Sequence, residues 1–219
     1  MKEDSRKIDF YGRDFMITPD VLIPRPETEM IVDAVLNLVG KPYLSGVKPS
    51  KPKLPQDCRI LDVGTGSGCI AVTLKKEIPK AQVGASDVSE KALEIARENA
   101  KKFSVDINFI KSDLLNDVEG DFDIIVANLP YVDESWDWID KKALSAEPSL
   151  ALYAEDGGLA LIKKLITQSV GRTKYLILEA DPCQHKRIVS YSRNYGYRIL
   201  ETRGFVLSFS KGKTLKYRF

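Results

Sequence analysis

From Arg59 onward one pattern repeats: a short, nearly continuous apolar run, a break bearing glycine or an acid, and in most cases a stretch with helical spacing. The runs are R-I-L-D-V, A-Q-V-G-A-S-D, I-N-F-I-K-S-D, F-D-I-I-V-A-N and Y-L-I-L-E-A, and Y-R-I-L-E-T and T-L-K-Y-R-F supply terminal strand material. Helices are predicted from about Gly68 to Ile78, from Ser89 through Phe103 with Ser89 as N-cap, from about Asp156 to Val170, and from Gln184 to Tyr195. Strands with no polar face must be covered on both sides, and parallel strands need crossover connections. The alternation therefore dictates an α/β fold with a doubly wound, mostly parallel sheet.

What precedes this unit reads differently. Residues 1–40 form an extension: an extended segment I-D-F-Y-G-R-D-F-M-I, the proline-punctuated V-L-I-P-R-P, and a helix beginning near Glu27 with Met30, Ile31, Ala34, Val35 and Leu38 on one face. Residues 41–57 alternate prolines with lysines, which removes backbone donors and offers little to bury, so they read as a linker. Residues 58–219 then make up the α/β domain, a reasonable size for one core.

Composition narrows the partners. A net charge of +2 lacks the basic excess of a typical nucleic-acid binder, although a local patch can hide in a balanced total. The first residues, M-K-E-D-S-R-K, lack a signal-peptide core, and no run approaches the roughly 18 apolar residues of a membrane span. A cytoplasmic protein with no membrane partner is expected. Three scattered cysteines and one histidine suggest neither a disulfide framework nor a metal site.

The loop L-D-V-G-T-G-S-G-C closes the first sheet strand and opens a helix, where glycines let a ligand approach backbone N–H groups. Gly64, Thr65, Gly66, Ser67 and Gly68 are the candidate contacts in a Rossmann-like setting. Asp87 ends the next strand, at the distance expected of an acid that binds ribose hydroxyls. Asp62, two residues before the first glycine, would repel a pyrophosphate but attract an ammonium. S-adenosylmethionine has a ribose, an ammonium and no phosphate. The third strand ends in Ser112-Asp113-Leu114, with Asp113 suited to an adenine amino group and Leu114 to its ring.

The fourth strand ends in N-L-P-Y, Asn128 to Tyr131. An amide or ring-amino nitrogen is a poor methyl acceptor because its lone pair is delocalised. Two acceptors aimed at its N–H groups orient it and favour positive charge developing on nitrogen. The Asn128 side-chain oxygen and the Leu129 carbonyl fit that role. Pro130 biases Leu129 toward an extended shape, and Tyr131 is placed to stack on a planar group. A strand end with a packed tyrosine is the plainer reading of the same four residues.

With these motifs the sequence resembles the HemK/PrmC family, S-adenosylmethionine-dependent methyltransferases that modify the glutamine of the Gly-Gly-Gln motif in peptide-chain release factors. The resemblance runs from F-Y-G-R-D-F-M-I-T-P-D-V-L-I-P-R-P-E-T-E through the glycine loop and N-L-P-Y-V to A-E-P-S-L-A-L and D-G-G-L. L-I-P-R-P-E-T-E is its most specific piece. The resemblance implies a seven-stranded methyltransferase sheet, with Arg25, Pro26, Glu27 and Thr28 lining the pocket. It also implies cofactor contacts from Gly64 to Gly68, Asp87, Leu114 and Asn128, and a target amide held by Asn128 to Tyr131.

Three departures stand out. Leu129 replaces the first proline of the family's usual N-P-P-Y, and N-L-P-Y is also the form seen in ribosomal RNA adenine dimethyltransferases. Asp181 stands where E-x-G-x-x-Q has glycine. Relatives carry a helical N-terminal recognition domain, whereas this sequence begins almost directly at its L-I-P-R-P-E-T-E approach, so docking is expected to differ or to use a separate recognition subunit. The leading expectation is methylation of a protein glutamine amide on a release factor. Methylation of adenine in RNA is the alternative, and a non-catalytic cofactor-binding module is a third. Trp136 and Trp138, in the long segment after N-L-P-Y, are candidates for an aromatic lid; His185 and Cys69 are not expected to act chemically.

Overall fold

The computed structural model describes residues 5–43, 51–140, 142 and 147–212. T-L-K-Y-R-F and part of the 41–57 linker lie outside the described residues. A hairpin comes first, β1 (Arg6–Phe10) against β2 (Arg13–Ile17). Its two-residue turn, Tyr11-Gly12, has both φ angles positive (54° and 70°), matching the twist of the strands it joins. Tyr11 is held in this conformation by a backbone N–H bond to Glu29 Oε1 (2.6 Å) and a hydroxyl bond to Asp33 Oδ1 (2.9 Å). Pro26–Thr28 makes a 3₁₀ turn, with proline at a first-turn position that needs no donor, and leads into α1 (Glu29–Val39). Burial spreads beyond the expected stripe, because Val32, Leu36 and Val39 are buried as well.

The main sheet has seven strands in the order β5-β4-β3-β6-β7-β9-β8. β3 (Arg59–Val63), β4 (Gln82–Asp87), β5 (Asn108–Lys111), β6 (Phe122–Ala127) and β7 (Thr173–Glu179) are parallel, whereas β8 (Tyr197–Arg203) and β9 (Val206–Lys211) are antiparallel additions. Helices α2 (Cys69–Glu77), α3 (Glu90–Lys102), α4 (Ala160–Gln168) and α5 (His185–Asn194) complete the fold. Alternate residues of β3 and β6 enter opposite cores: Ile60, Ile124 and Val126 join α1 and α2, whereas Leu61, Val63 and Ile125 join α4 and α5. That double burial is what their unbroken apolar character dictates.

Two elements depart from the sequence reading. The helix expected from Asp156 begins at Ala160, because Asp156, Gly157 and Gly158 all have left-handed φ (59°, 66° and 78°). A Cβ on Gly158 would lie 1.9 Å from the Tyr131 carbonyl oxygen, so this turn exists to let two backbones meet. β9, with its interleaved serines, was not anticipated as a strand; it inserts between β7 and β8.

Pairing places the site. Val63 is level with both Ser86 and Ala127, so the glycine loop, Asp87 and Asn128 leave the sheet side by side. After β5 the chain crosses to the other side of β3, making the β3/β6 boundary the switch point where open α/β sheets bind ligands.

Candidate active site

Two cavities open at this edge and share Leu22, Asn128, Leu129 and Ala151. The first, about 430 Å³, is lined by Gly64, Thr65, Gly66, Ser67, Asp87, Asp113 and Leu114 together with Thr28 and residues 19–22. Its glycines have separate jobs. A Cβ on Gly64 would meet Leu129 Cδ2 at 2.9 Å, and one on Gly68 would meet Ala96 of α3 at 2.9 Å, whereas the Cβ position of Gly66 is open. The loop is fixed by bonds from the Gly64 and Thr65 N–H groups to the Ser86 carbonyl (2.8 and 2.9 Å). Asn99 of α3 ties the loop to the hairpin, donating to the Ser67 and Met16 carbonyls (both 2.8 Å).

Asp87 accepts from the Gly66 N–H through Oδ2 and the Ser89 N–H through Oδ1, both at 2.9 Å, and its carboxyl stands in the cavity wall. Burial raises its pKa, against those two hydrogen bonds. Asp62 is displaced from its expected place. It is fully buried behind the loop and is not part of the cavity wall; Oδ2 accepts the Thr65 hydroxyl at 2.6 Å, while Oδ1 has no hydrogen bond among the described residues. Burial pushes its pKa up to about 7. Asp113 is in the wall but paired with Lys164 (2.5 Å), and Leu114 follows it with a left-handed φ of 55°. Cys69 is a buried thiol, its pKa pushed up to about 12 by desolvation, so it stays protonated and packs.

The second cavity, about 360 Å³, lies beyond Asn128 and Leu129 and is lined by Arg25, Tyr131, Trp136, Trp138, Glu179, Asp181 and Phe205. Here the L-I-P-R-P-E-T-E segment divides. Arg25 lines the cavity and is ion-paired with Glu147, whose Oε2 also accepts the Ile23 N–H (2.9 Å). Thr28 lines the first cavity, and its Oγ1 accepts from Asn128 Nδ2 (3.1 Å). Pro26 and Glu27 are corrections: both lie on the exposed side of the 3₁₀ turn and line neither cavity, although the Glu27 charge still acts on Glu179 and Tyr131. The second glutamate of the motif, Glu29, anchors the hairpin turn instead.

Leu129 is buried against Gly64, filling the space between the cavities, and among the described residues no donor takes its carbonyl. Tyr131 contributes its ring to the second cavity and donates its hydroxyl to Glu179 Oε1 (3.1 Å). Its carbonyl accepts from Gln184 Nε2 (2.8 Å), which also donates to the Gly157 carbonyl (2.8 Å). Asp181, unexplained in sequence, caps the 3₁₀ turn Pro182–Gln184: Oδ1 accepts the Cys183 N–H (2.8 Å), and its own N–H donates to Gln184 Oε1 (3.1 Å). Trp136 is buried and stacks on Trp138 (5.0 Å between centroids), which is 67% exposed at the cavity mouth. His185 bonds the Ala180 carbonyl and lines neither cavity.

Sequence reasoning missed Glu147, Glu179, Gln184 and Phe205. Glu179 had the clearest signal, an acid ending an otherwise apolar strand. It is 1% exposed, its Oε2 has no completed hydrogen bond among the described residues, and burial pushes its pKa up to about 7 against the lowering effect of Thr28 and Tyr131.

Residues 50–162 match the model of the methyltransferase small domain. The chain belongs to that family. Similarity extends to release factor glutamine methyltransferases, supporting the HemK/PrmC resemblance: 44% identity to that of Koribacter versatilis over 73% of this chain and 54% of the relative. Identity to that of Flavobacterium psychrophilum is 39%, over 86% of this chain and 65% of the relative. The chain thus spans between half and two thirds of these curated relatives. Among solved structures, a methyltransferase from Pyrococcus furiosus superposes with a TM-score of 0.66 at 20% identity, covering 92% of this chain and 90% of that one. A 16S rRNA N2 G1207 methyltransferase from T. thermophilus gives 0.65 at 15%, covering 95% of this chain and 50% of that one. The fold of this methyltransferase domain is accordingly class I, and the first cavity occupies the strand-end crevice of such sheets.

Proposed function

We propose that the protein methylates a glutamine side-chain amide, that of the Gly-Gly-Gln motif in a peptide-chain release factor, with S-adenosylmethionine as donor. One observation carries the reading: Asn128 and Leu129 stand between two cavities, with Asp87 and the glycine loop on one side and an aromatic, acid-bearing chamber on the other. When bound in the first cavity, S-adenosylmethionine supplies an electrophilic methyl group. Asp87 has lone pairs left for ribose hydroxyls, Leu114 and Asp113 flank the adenine position, and the open face at Gly66 leaves room beside the loop. Asp62 supports that loop from behind through Thr65. Asn128 Oδ1 and the Leu129 carbonyl orient the two N–H groups of the acceptor amide, and the nitrogen sheds one proton as it takes the methyl.

The chamber favours protein over RNA. Its wall carries Asp140, Glu179 and Asp181, while its one arginine, Arg25, is already paired with Glu147, and this balance of charge disfavours phosphates. On this reading residues 58–219 form the transferring unit together with the segment from residue 19 to residue 28 that lines both cavities, and a recognition subunit or segment adds substrate affinity. Release takes place in the cytoplasm, and among the described residues no helix is long and apolar enough to cross a membrane. The test is labelled methyl transfer to release factors carrying glutamine or its replacement, with structured RNA alongside. Label confined to the glutamine protein is expected; label in RNA adenine would establish the alternative, which N-L-P-Y favours.

A further inference from the structure

The two ends of an asparagine amide have the same shape, and only their partners decide which faces a substrate. At Asn128 that choice is made by a chain of groups from three segments. Nδ2 donates to Thr28 Oγ1 (3.1 Å), just before α1. The Thr28 hydroxyl and the Asn128 amide both lie where they favour the ionised carboxyl of Glu179, at the end of β7, although Oε2 has no completed hydrogen bond. Tyr131 donates to the other oxygen. A carboxylate only accepts, so the open oxygen Oε2 can be completed only by a donor, and the neighbouring Thr28 hydroxyl has a single proton to give it. That leaves Thr28 only lone pairs to offer Asn128, which must turn its NH₂ inward and its oxygen outward.

We propose that Glu179 is a positioning residue that sets the hydrogen-bond polarity of the acceptor site, acting through Thr28 to hold Asn128 with Oδ1 toward the amide to be methylated. The inference rests on the reading of Asn128 given above. It explains why a buried acid with an unpartnered oxygen sits in the wall of the acceptor chamber. It also gives Thr28 of L-I-P-R-P-E-T-E a role in the reaction rather than in substrate contact.

Protonation reverses the polarity. A neutral Glu179 becomes a donor, Thr28 accepts from it, and the Thr28 hydroxyl proton is freed for Asn128 Oδ1. The groups facing Glu179 are Glu27 and Thr28 before α1, Asn128 and Tyr131 after β6, and Cys69 at the start of α2; Asp181 and the Glu147-paired Arg25 share its cavity. Glu27 raises its pKa further, to about 7 with burial as the main cause. Transfer should therefore rise with pH through about 7.

The test follows the Asn128 side-chain amide by ¹⁵N NMR from pH 5.5 to 8.5, with transfer rates at saturating cofactor and cofactor affinity by calorimetry. In the wild type the Asn128 resonances should titrate near pH 7; in Glu179→Gln the titration should vanish, with turnover at least tenfold lower and cofactor affinity within threefold. Thr28→Val should lose as much, Thr28→Ser should recover most of it, and Thr28→Val with Glu179→Gln should be no worse than either alone. Asn128 resonances that ignore pH, or titrate equally in Glu179→Gln, would overturn the proposal, as would an unchanged rate profile in that variant. Because the NMR arm needs no acceptor, titration without transfer to any release factor would fault the substrate assignment alone. Should Glu179→Gln lose its native fold by circular dichroism, the wild-type titration and the Thr28 pair decide.

Discussion

The cavity beside the glycine loop takes its polar wall from consecutive strand ends, Gly64–Ser67 after β3, Asp87 at the end of β4 and Asp113 after β5, whereas the acceptor chamber gathers residues 25, 131, 136, 138, 179, 181 and 205. In the first, backbone N–H groups and strand-end acids do the holding, so each contact is specified within a few residues of sequence. In the second, side chains hold one another across the fold: Arg25 to Glu147, Tyr131 to Glu179, Gln184 to Tyr131. Damage to the first should therefore fall on the cofactor or on stability, and damage to the second on the acceptor.

The largest effect should come from beneath the loop. Asp62 has its pKa raised from 3.8 to about 7 by burial. Below the unfolded value both states hold the proton; as pH rises toward the folded value the unfolded state releases it first, so stability falls across that window. At about 1.4 kcal/mol per pH unit, Asp62→Asn should be more stable than wild type by up to about 4 kcal/mol at pH 8, and by little at pH 3.5. Denaturant titrations at both pH values measure this; no difference at pH 8 would mean that folding does not raise the pKa of Asp62.

Leu129 sits on the boundary. Leu129→Ala should cost about 3 kcal/mol and join the two cavities. Gly64→Ala, strained by its positive φ, should cost less in that background than alone, and a double-mutant cycle checks the coupling. Gln184→Ala leaves the Tyr131 and Gly157 carbonyls without their donor and should cost about 2 kcal/mol, with acceptor KM rising more than cofactor Kd. If cofactor affinity fell equally, the two halves would not be separable in the way described. The smallest effect should be at the exposed end of the tryptophan pair: Trp138→Ala should leave stability within about 0.5 kcal/mol and raise KM for the protein substrate a few-fold.

How far the sequence could be read follows the same division. β3, β4, β6 and the Ser89 cap were legible because apolar runs and capping residues act locally, and Asp87 and Asn128 because they end such runs. Asp62 was misplaced because spacing alone does not say whether a carboxyl points into a cavity or behind a loop. Pro26 and Glu27 were misassigned because they take the exposed side of a 3₁₀ turn of which only the third residue, Thr28, is buried against the site. Glu179 and Gln184 were passed over because their roles depend on Tyr131 and Thr28, which are far from them in sequence. The start of α4 was lost to a backbone approach at Gly158, which no periodicity encodes.

The most direct test pairs Asn128→Ala with Asp87→Ala, measuring cofactor Kd and single-turnover methyl transfer to the glutamine acceptor for each. Asn128→Ala should bind cofactor within about threefold of wild type and transfer roughly 10²–10³-fold more slowly. Asp87→Ala should bind cofactor at least about tenfold more weakly yet transfer, once saturated, within about tenfold of wild type. Equal loss of binding and transfer in both variants would contradict a site in which Asn128 holds the acceptor and Asp87 the donor.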